Sequence, residues 1–202
     1  MKKGCLISII VVGFLALVIL GFVLWGTKVY NGMVTMQESV TSQWANVETA
    51  YQRRSDLIPN LVNTVKGAAD FEKSTLEAVV NARAKATAMT VDPANLTPEN
   101  IAKFQQAQGE LSGALSRLLV TIERYPDLKA NQNFRDLQAQ LEGTENRIKV
   151  ARNDFNGAVQ TYNTTVKSFP NNIFANVFGF AEKGYFAADA GAEKAPSVDF
   201  SK

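Results

Sequence analysis

The chain has 202 residues, enough for one domain of ordinary size with some left over for a tether. Lys and Arg number 21 against 19 Asp and Glu, and this interspersed net charge of +2 predicts neither a nucleic-acid footprint nor an acidic partner. Histidine is absent and Cys5 is the only cysteine, which excludes the commonest general base, the commonest metal ligand, an internal disulfide framework and a Cys-rich zinc site.

Residues 1–5 form a short basic N-terminal segment, and 6–27 are predicted to be a transmembrane signal anchor. Leu6 to Trp25 reads LISIIVVGFLALVILGFVLW, with no charge and only Ser8 as a polar side chain. A helix of twenty residues covers about 30 Å, the hydrocarbon thickness of a bilayer. A core helix of a soluble domain would show a polar face, and this one has none. A cleaved signal peptide is the rival reading, since Lys2 and Lys3 make a fitting n-region. The apolar run exceeds the usual ~7–15 residues of a signal, and no small-x-small site follows Trp25. A lipoprotein fails because no apolar region precedes Cys5, and myristoylation fails because Lys2 stands where Gly is needed. Lys28 is the only basic residue within about 20 positions beyond the span, so the positive-inside rule leaves the N-terminus cytoplasmic and sends the domain outward.

From Tyr30 onward apolar residues recur at helical spacing. Val40, Trp44, Val47 and Tyr51 step by 4, 3 and 4, continuing the membrane helix toward Arg54. Pro59 predicts an interruption, with a second helix from near Ile58 to about Met89. Its stripe is Leu61, Val65, Ala68, Glu72, Leu76 and Val79, with one charged break at Glu72. Thr90 to Thr97 is a predicted loop, with Thr97 and Pro98 as N-cap and N1 of a third helix ending near Arg124. Its inward face is Ile101, Phe104, Leu111, Leu115, Leu118 and Ile122. Tyr125 and Pro126 mark the next turn. The fourth helix carries a heptad-like seam through Phe134, Leu137, Leu141, Thr144, Ile148, Ala151, Phe155, Ala158, Tyr162, Val166 and Phe169, about 54 Å long. No run shows strand-like alternation. The fold class expected is all-α: an N-terminal transmembrane helix continuing into an elongated antiparallel bundle of about four helices, spanning residues 28–186.

Phe169-Pro170 ends the fourth helix, and Phe174, Phe178, Phe180, Tyr185 and Phe186 then crowd the C-terminal segment. Two readings stand: the cluster folds back to cap the bundle, or it contacts lipid headgroups or a partner. Residues 187–202, small and polar around Pro196, read as a flexible tail.

Little catalytic chemistry survives this composition. Di-metal carboxylate bundles and His-based triads both need histidine. Gly179 and Gly184 have phosphate-loop spacing, but Tyr185-Phe186 stands where Lys-Ser/Thr is required. No enzyme activity, cofactor, metal or small-molecule substrate is therefore expected. Two polar constellations remain. Arg53, Arg54 and Asp56, beside the turn predicted at Pro59, would lock that turn or offer a fork to a partner's carboxylate or an anionic lipid. Glu145, Asn146, Arg152, Asn156 and Asn163 lie along the fourth helix. Asn156 and Asn163, seven apart, share a face and would fix register as buried asparagines do.

Several blocks together resemble the LemA family: Tyr30-Asn31, QRRSDLIPNLVNTVKG (Gln52 to Gly67), YPDLKANQNFRDLQAQLEGTENRI (Tyr125 to Ile148), ARNDFNGAVQTYN (Ala151 to Asn163), Phe169-Pro170 and Gly179-Phe180. The resemblance implies a bacterial envelope protein with one N-terminal membrane helix and an antiparallel helical bundle. It supplies no catalytic residues. Some relatives are linked to membrane shaping in magnetosome formation and others to envelope homeostasis. The expected function is a non-enzymatic scaffold in the inner membrane that self-associates or recruits a protein partner. The alternative is a monomeric adaptor to a membrane enzyme or transporter. The expected partners are the lipid bilayer and another protein or a second copy, with no nucleic acid.

Overall fold

The computed structural model describes residues 3–67 and 71–188. Expectations for the Cys5 side chain, for Ala68 and for the tail beyond Ala188 lie outside the described residues. The apolar run and the first amphipathic stretch fuse into one helix, α1 (Lys3–Lys66), 64 residues and about 96 Å long. From Ile9 to Leu24 its large apolar side chains are exposed on every side. This part is long and apolar enough to cross a membrane once.

The interruption expected at Pro59 does not occur. Proline lacks the N–H that would bond the carbonyl four residues back, and its ring crowds that carbonyl. The carbonyl is that of Ser55, and Arg83 Nε donates to it at 2.9 Å. The orphaned acceptor is thus satisfied from a neighbouring helix, and α1 runs on through Ile58, Leu61, Val62 and Val65, all buried. The chain turns only after Lys66, and the charged break at Glu72 is the N-cap of α2 (Lys73–Ala88).

A 3-10 turn (Pro93–Asn95) is capped by Asp92, whose carboxylate accepts from Ala94 N at 2.9 Å. Thr97 caps α3 (Pro98–Ile122) as expected, its hydroxyl accepting from Asn100 N. A short α4 (Pro126–Ala130) leads into α5 (Gln132–Lys167), capped by Asn131. The described residues end with α6 (Asn171–Phe178), which stops at Gly179 with φ +77°, and an extended segment over 180–188. No strand occurs among the described residues.

α1, α2, α3 and α5 form the up-and-down bundle, with α1 packed along α5 and α2 along α3. Two apolar clusters fill it. The distal one gathers Ile58, Leu61 and Val65 with Leu76, Val79, Leu111, Leu118 and Phe134. The one nearer the apolar span gathers Met33, Val40, Trp44 and Val47 with Phe104, Phe155, Val159 and Val166. Met33 of α1 clusters with Val166 near the end of α5, and Ile58 to Val65 cluster with Phe134 near its start, which fixes the two helices as antiparallel. The α5 seam stops at Val166. Phe169, expected to extend it, is 81 % exposed because the helix has already ended at Lys167.

Candidate functional site

Between the two apolar clusters lies a polar layer. The α1 seam reads Val40, Trp44, Val47, Tyr51, Arg54, Ile58, Leu61, Val65, stepping 4, 3, 4, 3, 4, 3, 4, so the helical register carries Arg54 to the bundle axis. Arg54 is 1 % exposed. Its Nη1 donates to Ser112 Oγ at 2.7 Å and to Glu145 Oε1 at 2.9 Å. Its Nη2 donates to the side-chain and backbone oxygens of Gln108, at 2.6 and 3.3 Å. The guanidinium also lies 5.0 Å from the centre of the Tyr51 ring. Gln108, itself buried, passes the connection on to Ala86 O in α2, and Ser55 shares a hydrogen bond with Thr87. Thr144, at the same level of α5, is 1 % exposed. One arginine therefore ties α1 to α3 and α5, while Arg83 and Gln108 bring in α2.

The structure corrects the expected role of Arg54. It sits mid-helix and not at a turn, and its carboxylate partner is Glu145, 91 positions away, not Asp56. Buried as it is, it offers no fork to a lipid or partner. Arg53 and Asp56 point outward, and Asp56 accepts from Gln52 Nε2 at 2.8 Å. An open groove of about 410 Å³ beside the layer is lined by Tyr51, Arg54, Gln105, Ser112, Glu145 and Arg152. It contains no nucleophile with a histidine beside it, and no cluster of three metal-ligating residues exists among the described residues.

The second constellation also departs from its expected role. Asn156 and Asn163 do not bond a neighbouring helix; each clamps the backbone of the extended C-terminal segment with both ends of its amide. Asn163 donates to Lys183 O at 2.8 Å and accepts from Lys183 N at 2.9 Å. Asn156 does the same with Phe186, at 3.0 and 2.9 Å. Gln105 on α3 repeats the pattern at Ala187, at 3.0 Å both ways. Arg152 and Tyr162 add bonds to Ala187 O and Ala181 O. An extended chain has no internal partners for its N–H and C=O groups, and these amides supply them.

This strap is seated by two further contacts. Gly184 N donates to Leu96 O at 2.8 Å, and a Cβ there would lie 2.6 Å from Pro98 Cα and 2.9 Å from Thr97 O, so only glycine fits. Phe186 enters the core against Trp44, Phe104 and Phe155, with ring centroids 6.1, 6.3 and 5.5 Å away. Of the two readings of the aromatic cluster, capping holds for Phe186, which is 4 % exposed. Burial of Lys183 lowers its pKa, a fall that Asp92 partly opposes, and its ammonium donates to Ala94 O. Burial of Tyr162 raises its pKa.

The other aromatics lie elsewhere. Phe174 packs on Phe22 and Trp25, with centroids 5.7 and 5.0 Å apart, and Phe178 and Phe180 flank Tyr30 at 5.1 and 5.5 Å. α6 therefore grips α1 where the apolar span ends. Tyr185 is 44 % exposed.

The molecule is thus a helical bundle carried on one N-terminal apolar helix, with residues 180–188 strapped against α5 and α3. The LemA family profile matches residues 43–200, and the chain belongs to the LemA family. Among its relatives is magnetosome protein MamQ 2 of Paramagnetospirillum magneticum strain AMB-1, 29% identical over 174 residues, covering 78% of this chain and 64% of the relative. Magnetosome protein MamQ of Magnetospirillum gryphiswaldense strain MSR-1 is 28% identical with the same coverage. Protein LemA of Metamycoplasma hominis is 22% identical over 167 residues, 83% of this chain and 72% of that one. The chain spans 64% of the length of the MamQ relatives it matches.

Proposed function

We propose that this protein is a non-enzymatic scaffold of the bacterial envelope, anchored in the inner membrane with its N-terminus in the cytoplasm and its bundle outside. In this reading the bundle recruits a protein partner or a second copy. The observation that carries it is the unbroken α1: no linker separates anchor from bundle, so the anchor dictates where the bundle stands and which way it points. Arg54, Arg83 and the strap then hold the remaining helices to that rod. Rigidity of this kind serves a protein that positions others. The relatives named as magnetosome proteins support the same structural reading. Arg53 and Asp56, exposed on one side of α1, are the contact candidates that remain on that helix. The orientation rests on Lys2 and Lys3 against Lys28.

The test is the native mass of the full-length protein after gentle extraction from its own membrane. A uniform multi-subunit particle supports the scaffold. Comigration with one other protein favours the adaptor alternative, and a bare monomer argues against both.

A further inference from the structure

We propose that the α5–α6 turn and the outer face of α6 are a second membrane contact, inserted into the interface of the leaflet through which α1 emerges. The proposal rests on the reading that α1 spans the bilayer, and it adds that the bundle touches the surface at its base. Phe174 sets the level. Its ring packs on Phe22 and Trp25, the last aromatic residues of the apolar run. It lies over Gly26, where a Cβ would come within 3.0 Å of the ring. The span thus presents a slot at its end, and α6 occupies it.

What α6 turns away from α1 is apolar. Ile173 and Val177, one helical turn apart, are 54 % and 73 % exposed, and Phe169 in the preceding turn is 81 % exposed. α6 carries no charge; its polar residues are Asn171, Asn172 and Asn176. The distribution over the whole molecule matters more than any one residue. Among the described residues, Val80, Val120 and Val150 are exposed singly on the bundle. Every other exposed large apolar side chain belongs to the span, to Tyr30 just beyond it, to Phe169 and α6, or to Tyr185 in the strap. Trp25 and Tyr30 stand at the same level, as interfacial aromatics do. A patch that continues the lipid-facing surface of a membrane helix, at the depth where that helix meets headgroups, is covered by lipid without any further partner.

The test uses full-length protein with Cys5→Ser, reconstituted in vesicles of phosphatidylcholine and phosphatidylglycerol. Spin labels are placed one at a time through Ile173→Cys, Val177→Cys, Leu24→Cys and Val120→Cys, all at exposed positions. Accessibility to dissolved oxygen and to a water-soluble nickel chelate is read by power saturation. The proposal expects oxygen to dominate at 173 and 177, as at 24, and the chelate to dominate at 120. Chelate access at 173 and 177 equal to that at 120 would overturn it. Exclusion of both reagents with dipolar broadening would also overturn it, because a second copy would then cover the face. A water-exposed label at 24 would sink the membrane-spanning reading, and this proposal with it. The scaffold reading does not depend on the labels at 173 and 177, since native mass decides it separately.

Discussion

Replacing Arg54 with methionine keeps most of the side chain's length and removes the charge. Four acceptor contacts disappear: Ser112 Oγ, Glu145 Oε1 and the two oxygens of Gln108. They do not cost equally. Glu145 is 47 % exposed and turns to water. Gln108 is 7 % exposed, so its amide oxygen stays dry and unpaired. One such buried group costs about 1–3 kcal/mol, and the lost charge-assisted bonds bring the total to roughly 3 kcal/mol. Glu145→Gln keeps an acceptor beside Arg54 and should cost under about 1 kcal/mol. For a bundle of this size the Arg54→Met loss lowers Tm by roughly 6–12 °C. The assay is helical circular dichroism against temperature, on full-length protein in detergent. If Arg54→Met melts with the wild type, or if Glu145→Gln falls as far, the clamp does not hold the helices together.

Arg83→Met should cost about 1–3 kcal/mol by stranding the Ser55 carbonyl that Pro59 leaves open. The double variant with Pro59→Ala should recover most of that loss, and equal melting of single and double variants would refute the pairing. Gly184→Ala drives a Cβ into the backbone at Pro98 and should cost about 1–3 kcal/mol, read as faster proteolysis of the C-terminal segment. Unchanged cleavage would show that the strap is not seated there. Lys183, with its pKa lowered below 10.5 in the folded state, binds its proton less tightly there than in the unfolded chain. Stability should therefore rise as pH climbs through the folded value toward 10.5, until the raised pKa of Tyr162 reverses the trend above about 10. Lys183→Met should flatten the rise; an unchanged slope would mean that another group titrates.

The helical class and most of the seams were legible because apolar residues recur at steps of 3 and 4. The expectation failed at Pro59, where a local rule was given more weight than the register. The seam crosses proline without a change of phase, from Tyr51 through Arg54 and Ile58 to Leu61, as only a continuous helix allows. The same register exposes the polar layer. Gln108 falls between Phe104 and Leu111, Arg83 between Val79 and Ala86, and Thr144 between Leu141 and Ile148, each in the register of a seam, with Gln108 and Thr144 buried and Arg83 half-buried. A polar residue at one level of every helix was the available signal, and of Arg83, Gln108 and Thr144 only Thr144 was placed in a seam. Asn156 and Asn163 showed their shared face but not their partner. The strap carries no periodicity, and only the fold brings residues 183 and 186 beside α5.

The most direct test of the account is a distance along α1. Spin labels at Thr27→Cys and Asn63→Cys, both exposed, flank the membrane exit and Pro59. An unbroken helix predicts a narrow distribution near 54 Å, from 36 residues at about 1.5 Å each. A broad distribution, or a maximum near 40 Å as a turn at Pro59 would give at about 1.5 Å per residue, would contradict it.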